Sequence, residues 1–322
     1  MRHLPALIFC LPLSATAQDI TLQMPIACTL DQDCYLQQFV DHDPGADARD
    51  FTCGNLSYDG HKGTDFALHD RAALANDVAV LAAAPGTVRG VRDTMPDVLQ
   101  GSPGAPDVSD RECGNGVVLD HGNGWETQYC HLAQGSMTVS TGDTVTAGQR
   151  LGSVGLSGQT QFPHLHLSVR RDGQTVDPFA PDGAMSCDAA PSRTLWQTPL
   201  ATPPGGLISS GFHTDVPAYE AVKAGLPSPD TLPTDAPALV LWTFIFGGRD
   251  GDVITLDITG PDGLVLGHEE SLNRTQAQLY RATGLRAPPD GWPTGDYTGL
   301  ARHMRDGELL DQQEVQLRIV AP

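Results

Sequence analysis

Across residues 55–187 the apolar positions fall in short runs punctuated by glycine: 78–81, 116–119, 125–131, 150–154 and 165–169. Runs of this length are strand-sized. No stretch sustains the i, i+3, i+4 spacing that a long helix needs to bury one face, so the pattern predicts strands joined by turns. Two segments, 77–82 and 143–148, share a loose pattern that leads into a glycine-containing turn.

Pro191, Pro199, Pro203 and Pro204 follow. Proline removes a ladder donor and stiffens the chain, so 191–205 is expected to be a linker. Beyond it, 239–246, 252–258, 263–266, 276–280, 296–304 and 314–320 read as strands, separated by turns such as 247–251 and 261–263. Strands at this spacing predict a small β-sandwich over 206–322, immunoglobulin-like in outline. The chain is therefore expected to be mainly β.

The N-terminus departs from this pattern. Met1-Arg2-His3, an apolar stretch from Leu4 to Leu13 and the small residues Ala15 and Ala17 read as a secretory signal peptide over 1–17. Its apolar core is too short to span a bilayer. The cysteines that remain are Cys28, Cys34, Cys53, Cys113, Cys130 and Cys187. An even number in an exported chain points to disulfides in the periplasm or outside the cell. The turn at Gly122-Asn123-Gly124 folds the strand after Cys113 back beside the one ending at Cys130, which makes that pair the expected bridge. Residues 18–54 hold three of the six cysteines and few periodic apolar residues, and are expected to form a stapled extension packed on a catalytic domain at 55–190.

Composition removes several function classes. The 322 residues carry a formal net charge of −20, which disfavours nucleic acid and anionic membranes as partners. It also disfavours simple attraction to an anionic cell wall. There is no phosphate-binding glycine loop, nucleophile elbow or dinucleotide fingerprint.

The candidate chemistry lies in three segments. His164-Leu165-His166 places two imidazoles on one face of a strand. His61-Lys62-Gly63-Thr64-Asp65 and Tyr129-Cys130-His131-Leu132 supply further nitrogen and carboxylate donors. Two ligand atoms on one zinc lie within roughly 3–4 Å of each other, whereas residues four apart on a regular strand are separated by about 13 Å. A straight strand from His61 to Asp65 is thus excluded as a chelating unit, and Gly60 and Gly63 favour a bend. Tyr129 shares a strand face with His131, and packing is the expected role for it. His42, His69, His121, His213, His268 and His303 are expected at the surface, with His69 the nearest to the site.

In their order along the chain, His61-x-x-x-Asp65, Tyr129-x-His131-Leu132 and Pro163-His164-Leu165-His166-Leu167 resemble the lysostaphin-like, LytM-type zinc peptidoglycan endopeptidases. The connecting segments 83–88, 114–122, 142–149 and 176–178 agree with this family. The resemblance implies a duplicated half-barrel β-sheet and zinc held by His61, Asp65 and His166. It also implies that His131 and His164 serve the hydrolysis of peptide cross-links or stem peptides, and leaves open which of them is the base. Departures from the family pattern are the insertion at 91–113, Phe162 beside the site, and Ser168-Val169 where an acidic residue is usual. Two alternatives share the motifs: a zinc peptidase of this fold acting on secreted proteins, and a silent scaffold that activates another wall hydrolase. No histidine, cysteine or carboxylate cluster in 206–322 has site spacing, so binding or spacing, including of a protein partner, is the role expected there.

Overall fold

A computed structural model describes residues 19–185, 187 and 193–321. The signal peptide expected at 1–17 and Pro191 lie outside the described residues. The protein is mainly β. In the first half the strands are β1 (Cys34–Gln38), β2 (Thr64–Leu68), β3 (Ala79–Leu81), β4 (Gly86–Arg92), β5 (Asn115–Gly122), β6 (Trp125–Leu132), β7 (Thr144–Val145), β8 (Arg150–Ser153), β9 (His164–Arg171) and β10 (Gln174–Thr175). One antiparallel sheet runs β1-β2-β9-β6-β5-β4-β7, with β10 paired to β9, while β3 and β8 form a two-stranded sheet.

The central strand β9 shows why this sequence makes a sheet with a functional face. Leu165 and Leu167 alternate with His164 and His166, and both leucines are fully buried in the core together with Phe66 of β2. Burying each such side chain contributes about 1.5–3 kcal/mol. The leucines thereby fix which side of the sheet the two imidazoles occupy, since a one-residue slip would exchange the faces.

Residues 18–54 do more than pack on the sheet. Cys34–Gln38 is its edge strand, paired antiparallel to β2 with a bulge between Leu36 and Gln38. All five residues are buried, so no polar–apolar alternation betrays the strand. Disulfides join Cys28 to Cys34, Cys53 to Cys187 and Cys113 to Cys130, the last as expected from the turn.

The second half contains β11 (Gly206–His213), α1 (Tyr219–Gly225), β12 (Thr231–Pro233), β13 (Ala238–Gly248), β14 (Val253–Gly260), β15 (Gly263–Ser271), β16 (Gln276–Arg286), β17 (Gly295–Arg305) and β18 (Glu308–Val320). Two sheets, β11-β13-β16 and β12-β18-β17-β14-β15, enclose one apolar core. Before them Leu195 and Trp196 are buried against the first half.

The halves are not independent beads. Strand β13 carries apolar residues on both faces, interrupted only by the buried Thr243 over 238–246, because both faces are covered. Leu239, Leu241 and Ile245 enter the core between the two sheets, whereas Trp242, Phe244 and Phe246 enter the core of the first half. Phe246 lies 4.7 Å, centroid to centroid, from Tyr35 of β1. Gln37 Nε2 donates to the Ala277 carbonyl at 2.9 Å, and Gln278 Nε2 donates to the Tyr35 hydroxyl at 2.9 Å.

Candidate metal centre

Three adjacent strands build the site. Register places Asp65 of β2 opposite His166 of β9, and His166 opposite Cys130 of β6, next to His131. His61 arrives through the expected bend: its amide donates to the Tyr58 carbonyl at 2.9 Å, with Gly60 at φ +74°. Gly63 serves differently, because a Cβ there would stand 2.5 Å from His166 Nε2. Only glycine lets that ring lie over the loop.

The fold brings all five sequence-predicted side chains together. His61 Nε2 lies 3.1 Å from His166 Nδ1 and 3.3 Å from Asp65 Oδ1, and His166 Nδ1 is 2.8 Å from the same oxygen. His164 Nε2 is 3.5 Å from Asp65 Oδ1. The His131 and His164 rings are 4.6 Å apart.

Each imidazole is held through its other nitrogen. His61 Nδ1 donates to the Phe39 carbonyl at 2.6 Å, His131 Nδ1 to the Ser157 carbonyl at 2.8 Å, and His164 Nδ1 to the Phe162 carbonyl at 3.0 Å. A carbonyl accepts only, so Nε2 of each of these rings, when neutral, carries a lone pair. His166 is the mirror case: Nε2 lies 3.0 Å from Ser168 Oγ, which can accept its proton and leave Nδ1 bare. Ser168, which stands where the family pattern has an acid, therefore occupies the orienting position typical of a ligand histidine's neighbour.

The electrostatics agree with this donor set. Burial would push the Asp65 carboxyl up, but His61 and His164, with the hydrogen-bonding imidazoles, hold it well below the usual carboxylate range. Burial, reinforced by His164 and His166, holds His131 well below the usual imidazole value, and burial lowers His164. Two neutral rings thus sit beside an ionised carboxylate. Burial would lower His61, but Asp65 and the Phe39 carbonyl raise it, so without an ion protons on the rings can bridge to the carboxylate. With those protons displaced, His61 Nε2, His166 Nδ1 and Asp65 Oδ1 fit a zinc ion of the His/His/Asp kind. A second trio, His131, His164 and His166, also brings ligand atoms within 4.8 Å of one another.

Other expectations can be placed. Tyr129 is fully buried, and its hydroxyl accepts from the Ala83 amide at 2.8 Å, away from the cluster, as expected of a packed residue. Phe162 stacks on His164 at 4.3 Å. The 91–113 insertion folds toward the site, with the Gln100 amide donating to the Thr160 carbonyl at 2.9 Å. Among the described residues His69 makes no hydrogen bond to the cluster and packs near Tyr35 instead.

Two histidines are not at the surface. His42 pairs with the buried Asp177 at 2.8 Å, and the fully buried His303 pairs with Asp252 at 2.7 Å. In both, a carboxylate far away in sequence offsets the cost of burying the ring. Tyr58, with its ring 4.5 Å from that of His61, borders the cleft and carries no motif that would have singled it out.

Residues 59–178 match the model of Peptidase family M23. The chain thus carries a domain of this peptidase family. Over 67 residues it is 42% identical to the DD-carboxypeptidase/endopeptidase Mpg of Neisseria meningitidis, an alignment covering 21% of this chain and 15% of that protein. Over 119 residues it is 32% identical to an uncharacterized metalloprotease of Haemophilus influenzae, covering 37% of this chain and 20% of the relative. The chain thus spans only a small part of the curated relatives it matches. Among solved structures, the catalytic domain of the prophage-encoded M23 protein EnpA from Enterococcus faecalis, in a single-substitution mutant form, aligns at 23% identity and a TM-score of 0.32. That alignment covers 48% of this chain and 95% of that one.

Proposed function

We propose that this protein is an exported zinc metalloendopeptidase that hydrolyses peptide bonds in peptidoglycan. The observation that carries the reading is the convergence of His61 Nε2, Asp65 Oδ1 and His166 Nδ1 within 3.3 Å of one another, beside two further buried imidazoles at a cleft. His61, Asp65 and His166 are the proposed ligands. Zinc at this position supplies Lewis-acid polarisation of a carbonyl and acidifies water toward a pKa of about 7.

The chain's own groups supply the rest. His131 and His164, each with Nδ1 tied to a backbone carbonyl, keep Nε2 as the atom that can take and return a proton. One takes the water proton and hands it to the leaving amine; the other stands against the developing oxyanion. Phe162, stacked on His164, restricts the tilt of that ring. Three disulfides suit an oxidising compartment, in keeping with export. The proposed organisation is the stapled extension at 18–54, the catalytic domain at 55–190 and the sandwich at 206–322.

The test is incubation of purified wall sacculi with the zinc-loaded protein, with and without chelator, and identification of the new amino termini. Chelator-sensitive release of new peptide amines is expected. Intact sacculi alongside cleavage of a secreted-protein panel would redirect the activity to proteins.

A further inference from the structure

The cleft that contains Asp65, His131 and His164 has a volume of about 820 Å³ and does not belong to the first half alone. Its far wall is the start of β16 together with α1. That wall is fixed. Phe246 and Trp242 are buried in the first half's core, Gln278 is hydrogen-bonded to Tyr35 and Gln37, and the Arg71 amide donates to the carbonyl of Lys223 on α1 at 3.1 Å.

We propose that the C-terminal sandwich is a wall of the substrate cleft, and that this cleft takes an extended peptide bearing a free carboxylate. On this assignment the side-chain amides of Gln38, Gln159, Gln161 and Gln276 bind the peptide's amide groups and Lys223 meets its carboxylate. The inference rests on the hydrolytic reading for what happens to the peptide, not for how it is held. Four observations support it. The four glutamines come from three separate segments, β1, the 155–163 loop and β16, and line one space. Among the described residues their side-chain amides make no hydrogen bond within the protein, whereas two other glutamines of the same cleft do: Gln37 bonds through both ends of its amide and Gln278 through Nε2. A side-chain amide both donates and accepts, which is what peptide groups require.

The fourth observation is charge. In a chain of net charge −20, the charged residues lining this cleft, among the described residues, are only Asp65 and Lys223. With Asp65 committed to the metal, the local field favours an anionic substrate. Lys223 Nζ lies over the Tyr219 ring at 4.9 Å and pairs with Glu220, whose side chain is 69% exposed. Such a surface pair is worth little and gives way to a better-held carboxylate.

The experiment uses the full zinc-loaded chain and purified wall peptides, before and after carbodiimide amidation of their carboxylates, with binding followed by calorimetry. Wild type is expected to bind the free-carboxylate peptides about fivefold tighter, the size of a half-exposed ion pair. Lys223→Gln should abolish that preference, and Glu220→Gln, which leaves Lys223 without its internal partner, should enlarge it. Gln276→Ala should weaken both peptide forms alike, by a few-fold. Equal binding of the two forms by wild type, or a preference that survives Lys223→Gln, overturns the proposal. Preferential binding without cleavage leaves this cleft assignment standing and removes the hydrolytic reading; cleavage without preference does the reverse.

Discussion

Two buried clusters in this protein are each built on an aspartate facing histidine, and they behave as opposites. In the first half, Asp65 faces His61, His164 and His166, each with its second nitrogen near a backbone carbonyl or a hydroxyl. In the second half, Asp252 accepts from His303 Nε2, from Arg305 Nε and Nη2 and from the Arg249 amide, at 2.7–2.9 Å. Arg305 also donates to the carbonyls of Pro204 and Gly247, tying the segment before β11 to the sandwich. The carboxylate of the second cluster already has its cation, the guanidinium. The first has only imidazoles around it, groups that can give up their protons to a metal ion as a guanidinium cannot. An aspartate–histidine pair alone therefore does not separate a candidate metal centre from a structural ion pair; whether a guanidinium already serves the carboxylate does.

Substitutions at the proposed centre should have the largest effects on activity. His131→Ala and His164→Ala are expected to lower hydrolysis by about 10²–10⁴-fold with zinc retained, measured by wall-peptide turnover alongside metal content. Asp252→Ala should do the opposite. Leaving Arg305 and His303 buried without their partner is expected to cost about 3–5 kcal/mol in denaturant unfolding, with zinc content unchanged. A loss of zinc in that variant would erase the contrast between the clusters.

Ser168→Ala is expected to weaken zinc binding by about 10- to 100-fold in competition with a chelator, because the ring of His166 loses its anchor. Unchanged affinity would mean that packing against Gly63 orients the ring unaided. The smallest effect is in pH. Burial lowers His303 despite the opposing pull of Asp252, and for Asp252 burial, which raises, is outweighed by Arg305, the Arg249 amide and His303, so both groups sit below their ordinary values. A depressed histidine makes the fold lose stability as pH falls below about 6.5, where the unfolded chain takes up a proton first; a depressed aspartate adds a further loss below about 3.9. The thermal midpoint should fall with acid over both windows; Asp252→Asn should flatten the lower one, whose carboxylate is gone, and keep the upper one, since Asp252 only raises His303.

The candidate residues were legible from three motifs whose order resembles a known family, and that resemblance supplied the roles. Spacing added that His164 and His166 share a strand face and that His61 and Asp65 cannot meet along a straight strand, with Gly60 and Gly63 favouring a bend over a helical turn. The pieces that hold them were not legible, since the Phe39 and Ser157 carbonyls carry no side-chain signature and meet their rings across 22 and 26 residues. Strand β1 was hidden for a related reason: Cys34–Gln38 is buried on both faces and includes the polar Gln37, so it lacks the period of a half-exposed strand. The readings of His42 and His303 as surface residues failed because their partners, Asp177 and Asp252, are 135 and 51 residues away. The contact between the halves has a sequence signal in β13, where apolar residues occupy both faces and only Thr243 interrupts 238–246, as in a strand covered on both sides.

Two trios of donors could hold an ion, and metal content measured side by side in wild type, Asp65→Ala and His131→Ala tests most directly which of them does. Wild type and His131→Ala are expected to carry about one zinc per chain and Asp65→Ala none. Zinc kept by Asp65→Ala but lost from His131→Ala would place the metal on His131, His164 and His166 instead, and contradict the assignment.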